Sequence, residues 1–552
     1  MLFKLLQLFK SFSTKERYLL AASGVVFLVS GVFFSLQSFY QETVAAPVEG
    51  GSYVEGIIGQ PIAINPLIAG DNDADRDLIQ LLFAGLSDIA QSIKSDETQK
   101  IWTIILKTDL IWSDGKPLTS DDVLFTISVI QDPDARSPYF STWQGVLAEK
   151  STESELKLTL KNPYAFFQDN IRNLKVAPRH IFDNIPPQNF RLSDYNLKPV
   201  GSGPYKFVGY TKRADGFIEK YDLVANDRFA GQKPYIQKFS VKFFANKNDA
   251  IASFNAKGVD GIGSLEKSDL DQVTLNHHLI TANRPRYYAV FFNQSTSLPL
   301  KEKEVRTALE YATDKTGLLE AILSGQGDIE RGPLPSFVEG YDEAVFTNGG
   351  FNLELASTTL DKAGWKIGPT GIRTKTIQKT KVALEFDLIV PEVRFLVDTA
   401  KKLQQDWHKV GISLNPVVIK PSDVVASAIK PRNYQMVIFG NTLNNNPDIF
   451  SFWHSSQRFD PGLNLSLFSD KTVDSLLESV RQDTNLETRI QSLSKVQKAI
   501  YDQKPAVFLY SPDYLYLTST NLGGFSAKSI AIPANRLDGV AGWYLKTARV
   551  FK

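Results

Sequence analysis

The sequence predicts a mixed α/β protein carried outside a membrane by one N-terminal apolar helix. Three observations carry this. Short strand-like runs such as KIWTIIL (100–106), ELKLTL (155–160) and FSVKFF (239–244) alternate with stretches of helical periodicity along most of the chain. Tyr18 to Tyr40 is an uncharged, mainly apolar run, long enough to span a bilayer core of about 30 Å. Cysteine is absent and only five histidines occur, which excludes disulfides, thiolate catalysis and Cys-ligated metals.

The 552 residues suggest about three to five folding units at roughly 100–200 residues each. The 61 basic and 60 acidic residues nearly cancel, so no polyanion-binding signature is present. Before the apolar run lie Lys4, Lys10, Lys15 and Arg17 against Glu16 alone, and Glu42 and Glu49 follow it. This asymmetry places the N-terminus inside and the rest outside. An uncleaved anchor and a signal peptide cut at Ala45 or Ala46 both fit, and the length of the run favours the anchor. The first 13 residues form a basic amphipathic segment suited to the inner membrane surface.

Beyond a Pro/Gly-rich linker (46–56), the pattern predicts a capped helix over 120–132 with Val123, Ile127 and Ile130 on one face. A long amphipathic helix over 304–323 is expected to break near Asp314. Another over 393–411 should stop at Gly411, and two more lie within 473–503. The basic run 366–381 reads as a solvated hairpin with Gly-rich turns rather than a lipid or partner contact.

Catalytic signatures fail one by one. Asp71, Asp73 and Asp75 have calcium-loop spacing, but Arg76 and Leu82 stand where the loop needs Gly and Glu, so these acids read as the cap of a following helix. There is no G-x-S-x-G elbow, phosphate-binding loop, dinucleotide fingerprint or H-E-x-x-H pair. Paired acids such as Asp121 and Asp122 are expected by chance, and His277–His278 reads as a surface pair.

The segment WTIILKTDLIWSDGKPLTSDDVLFTI (102–127) resembles the family 5 extracellular solute-binding proteins of ABC transporters, which include oligopeptide-, dipeptide- and nickel-binding members. The likeness continues in order through INPLIAGDNDADRDLIQLLFAGL (64–86), LKPVGSGPYKFVGY (197–210), AIASFNAKGVDGIG (250–263), VRTALEYATDK (305–315), LDKAGW (360–365) and AIYDQKPAVFLY (499–510). The resemblance implies a two-lobed periplasmic-binding-protein-like fold of the large type. Its lobes would be joined by crossings near 284–293 and 510–519 and would close around a solute.

The expected division is a cytoplasmic basic segment (1–17), a transmembrane anchor (18–40) and a linker (41–51). Lobe I (52–285) follows with an extra subdomain at about 87–197, then lobe II (286–515) and a C-terminal return to lobe I (516–552). The implied function is the extracytoplasmic substrate-binding component of an ABC transporter. It would pass a peptide or similar polar solute to permease subunits as a monomer, tethered to the membrane by its helix, with no cofactor, metal or nucleic acid. An extracellular hydrolase and a non-transport scaffold or sensor are the alternatives.

For the ligand site the resemblance points to 437–456, VIFGNTLNNNPDIFSFWHSS. Peptide-binding members pair the ligand's α-amine with an Asp four residues before a Pro, and here Leu443 stands four before Pro447. Either Asp448 or another acid substitutes, or the ligand lacks a free amine. Gly440, Asn441, Thr442, Leu443, Asn444, Asn445 and Asn446 are the leading candidates, the asparagines offering neutral donors and acceptors. Tyr139, with Trp143 one turn on, Asn293 and Trp453 complete the set. Gly201, Gly203 and Pro204 read as a structural turn.

Overall fold

The structure is a computed structural model that describes residues 11–347, 350–443 and 446–551. Its first lobe is built on a seven-stranded sheet ordered 277–282, 514–519, 261–265, 52–58, 238–244, 218–225, 205–212. The second lobe has a six-stranded sheet ordered 327–329, 506–512, 286–292, 436–442, 385–391, 413–419. Each sheet mixes parallel and antiparallel pairs: 52–58 runs parallel to 238–244 and 261–265, and 385–391 parallel to 413–419 and 436–442. A four-stranded antiparallel sheet over 90–106 and 147–159 forms a smaller layer beside the first lobe.

The apolar run YYAVFF makes a strand, Arg286–Phe292, that is buried on both faces. Tyr287, Ala289 and Phe291 join one core with Trp453, while Val290 and Phe292 join another with Leu403 and Trp407. Alternation of side chains across the sheet turns a continuous apolar run into two half-cores. Leu396, Ala400, Leu403 and Trp407 recur at helical spacing on Arg394–His408 and are buried over the second of these.

Local chemistry sets the other elements. Thr119 caps the helix Ser120–Ile130 in a capping box with Asp122. The expected break falls at Asp314, which caps Lys315–Leu323 after Lys303–Tyr311 has ended. Gly411, at φ +82°, follows the helix Arg394–His408. Residues 366–383 do form a small three-stranded sheet, but its bases are not all solvated. Arg373 is buried and donates to Asp361 (2.8 Å), Trp365 O (2.8 Å) and Val410 O (2.8 Å), and Lys375 reaches Glu302 at 2.8 Å.

The chain crosses from the first sheet to the second between Ala282 and Arg286, and returns at Pro512–Tyr514. The crossings touch, the Ser511 hydroxyl donating to Arg284 O at 2.9 Å. The C-terminal segment is fastened to the first lobe by a buried ion triad. Arg536 donates to Glu55 (2.9 Å) and to both oxygens of Asp77 (3.0 and 2.5 Å), and Tyr516 donates to Glu55 at 2.7 Å.

At the other end, Thr14–Glu42 is a single 29-residue helix with no buried residue, about 43 Å long at 1.5 Å per residue. It continues into the strand Thr43–Pro47, which pairs antiparallel with Thr547–Phe551.

Candidate functional site

Between the lobes, at the two crossings, lies a cavity of about 360 Å³, within the about 300–1,000 Å³ that ligand pockets span. The first lobe contributes Ser264–Ser268, Tyr514 and Leu515; the second contributes Tyr288, the end of the helix Lys315–Leu323, and Arg394, Phe395 and Asp398. Arg284, Pro512 and Asp513 enter from the crossings themselves. Tyr288 is set in place by Gly440 across the ladder. A Cβ at Gly440 would come within 2.8 Å of the Tyr288 ring, so a side chain there would push this wall into the cavity.

The charges of the cavity are unevenly matched. Glu266 has Lys247 at 3.6 Å and Arg394 has Asp398 at 4.0 Å. Arg284 and Arg286 have no side-chain hydrogen bond or ion pair among the described residues, and each leaves a buried, unpartnered Nε. Their guanidinium carbons lie 5.6 Å from the Tyr514 ring centre and 5.0 Å from that of Tyr288. Burial, reinforced by the like charge of Arg286, pulls Arg284 down to about 10. Burial, together with the neighbouring Asp328, pushes Asp513 up to about 6.

A second charged cluster between the lobes is fully matched. Asp448 accepts from Arg481 Nε at 3.0 Å, Arg481 Nη2 at 2.9 Å and, from the small layer of the first lobe, Tyr164 Oη at 2.7 Å. Ala165 N donates to Arg481 O at 2.7 Å, and Phe166 is buried in a core otherwise drawn from the second lobe. Burial and the neighbouring Asp448 carboxylate push the Tyr164 hydroxyl up, so it stays protonated as the donor. Asp448 is therefore already committed to Arg481 and Tyr164.

Of the residues singled out from sequence, Asn441, Leu443 and Trp453 come together around Tyr287 in a buried core, and none of those described lines the cavity itself. Leu443 is 2% exposed among Trp453, Phe508 and Tyr287. Asn441 and Trp453 are buried and both donate to Tyr287 Oη, at 2.8 and 3.1 Å. Asn293 is buried, donating to Arg432 O at 3.1 Å and accepting from the Ser295 hydroxyl at 2.6 Å. Trp143 packs against Phe167, with ring centres 5.6 Å apart, while Tyr139 is 46% exposed. Gly440 and Thr442 are half-buried at the end of their strand, and Asn446 accepts from Asp448 N at 3.2 Å. Asn444 and Asn445 lie outside the described residues.

Sequence reasoning placed a crossing at RPRYYAVFFN without weighing its arginines. The signal was present: two arginines flank Pro285 with no acid between Thr281 and Asn293.

Two α/β lobes joined by two touching crossings, with a polar cavity between them, define a solute-binding protein of the kind that closes by hinge motion. Residues 87–460 match the model of the bacterial extracellular solute-binding proteins, family 5, and the chain belongs to that family. The oligopeptide-binding protein AppA of Bacillus subtilis is 26% identical over 529 residues, spanning 93% of this chain and 94% of AppA. The structure of that AppA in complex with a nonapeptide matches at a TM-score of 0.73 and 25% identity, covering 91% of this chain and 100% of the solved one. NikZ from Campylobacter jejuni, solved with Ni(L-His), matches at 0.73 and 25%, covering 89% and 99% respectively. The chain is thus an extracytoplasmic substrate-binding component of an ABC transporter, and delivery to a permease follows from the family.

Proposed function

We propose that this protein captures a short peptide, or a polar solute of similar size, in the cavity at the crossings and releases it to the membrane permease subunits without chemical change. The observation that carries this is the cavity itself: both lobes and both crossings line it, so closure and ligand contact are one event. Its volume favours a smaller cargo than the nonapeptide bound by AppA. Gly440 belongs to the site as the support of Tyr288, and Thr442, paired with Arg286, as its neighbour. The functional division is 52–285 with its subdomain at about 87–197, a second lobe that ends at the return crossing near Pro512 rather than at 515, and a C-terminal segment that rejoins the first lobe from Tyr514.

We further read the N-terminal helix as a retained single-pass anchor with its N-terminus inside. The strand that follows it contains Ala45 and Ala46, paired with Arg549 and Ala548. Arg549 also donates to Thr43 O at 3.1 Å and Tyr40 O at 3.3 Å, and Phe39 meets Phe551 edge-on at 6.3 Å. Cleavage at Ala45 or Ala46 would leave the C-terminal strand without part of its partner. Such a tether keeps the binder close to its permease at high effective concentration.

Native mass spectrometry and thermal shift of the full chain in detergent, with tripeptide pools, test capture. Saturable stabilisation without turnover supports it; absence of binding, or product release, overturns it. N-terminal sequencing of the membrane-fraction protein tests the anchor, which a start at residue 46 or 47 would refute.

A further inference from the structure

We infer that the solute is anionic and that its carboxylate or phosphate is held by Arg284 and Arg286 at the hinge. The inference rests on the capture reading above and names the charge of the cargo. Two guanidinium groups adjoin one cavity, each with a buried Nε that meets no acceptor among the described residues. Neither has a carboxylate within ion-pair distance there, whereas the cavity's Glu266 and Arg394 already have partners. Leaving two like charges together, half-buried and without a direct ion pair, with Asp73 acting on Arg284 only from beyond ion-pair distance, is costly in a fold that pairs its other buried arginines. Arg536 meets two carboxylates, Arg373 meets Asp361, and Arg306 and Arg432 are saturated by backbone carbonyls.

Ligand oxyanion is the partner whose chemistry fits: a planar guanidinium fork donates to two oxygens side by side. The walls flanking the pair, Tyr288 and Tyr514, present ring faces to it and narrow access for bulk water. Arg284 sits on the first crossing and Arg286 begins the second-lobe strand, so one bound anion would bridge the segments that bend on closure. It would relieve their mutual repulsion and favour the closed form.

The test uses the full chain in detergent and three probes read by thermal shift and calorimetry. The first is a tripeptide pool containing glutamate with free C-termini. The second is the same pool with every carboxylate replaced by its carboxamide. The third is succinate and inorganic phosphate without peptide. Binding about 10- to 100-fold tighter for the first pool than the second is expected, the range of a charge-assisted hydrogen bond. Arg284→Gln and Arg286→Gln should each erase most of that preference, with unliganded melting temperatures close to the parent's. Arg286→Lys, which keeps the charge but loses the fork, should retain part of it and guards against misfolding of the glutamine variants.

Equal binding of the two pools would overturn the anion site while leaving peptide capture standing. Stabilisation by succinate or phosphate alone, lost in the variants, would uphold the anion site and refute peptide capture. A preference that survives in both glutamine variants would overturn the assignment to these arginines. No stabilisation by any probe would overturn both readings.

Discussion

Two charged clusters stand between the lobes, and they are built in opposite ways. At Asp448 every charge is answered: Arg481 and Tyr164 fill the carboxylate, and the Arg481 guanidinium lies 3.8 Å from the centre of the Phe450 ring. At the crossings, Arg284 and Arg286 meet the ring faces of Tyr514 and Tyr288 but no hydrogen-bond acceptor or ion-pair partner for their side chains among the described residues. The first arrangement is complete without a ligand and acts as a contact that holds the small layer of the first lobe onto the second. The second is incomplete, and an incomplete polar site in a folded protein is where a ligand belongs. This contrast separates lobe-joining residues from ligand-meeting ones.

The contrast is broken hardest at a fully matched arginine. Arg536→Met should cost about 3–5 kcal/mol, as when a buried pair loses one partner, because Glu55 and Asp77 would stay buried without a cation; chemical denaturation of the full chain measures it. Asp448→Ala should cost about 1–3 kcal/mol through the unsatisfied Arg481 and Tyr164. It should weaken ligand binding too, since the two lobes lose a contact that sets how they face each other. Tyr164→Phe removes only the donor, and about 0.5–1.5 kcal/mol is expected. Arg284→Gln should differ from all three in stability, leaving it unchanged or slightly raised while binding falls.

Asp513 gives an effect of another kind, visible as a slope. Its carboxyl is held at about 6 against an ordinary 3.8, by burial and by Asp328. A group raised in this way takes up protons on folding between those values, so its contribution to stability falls as pH rises through that window. Asp513→Asn should flatten the melting temperature between about pH 4 and 6 and raise it at pH 7 by about 2 °C.

The scaffold was legible in the sequence because its motifs make contacts internal to the fold. Gly201 and Gly203 lie so close to Leu82 that a Cβ on either would come within 1.9 and 2.6 Å of its backbone. Arg306 of the VRTALEYATDK helix donates to Leu300 O and Gln503 O at 2.7 and 2.8 Å. Trp365 of LDKAGW is buried, donating to Glu302 at 2.9 Å. Such residues answer to their own fold rather than to a ligand. The cavity was not legible because it gathers 264–268, 284–288, 321–326, 394–398 and 512–515, segments whose meeting depends on how two lobes face each other. Attention to the asparagine run found a neighbour of that wall in Gly440, but not the arginines beside it.

Hydrogen–deuterium exchange of the full chain, with and without the carboxylate-bearing tripeptide pool, is the most direct test of where the ligand sits. Slowed exchange confined to 264–268, 284–288, 321–326, 394–398 and 512–515 is the predicted result. Protection at 139–143 and 440–446 with none at the crossings would contradict the account.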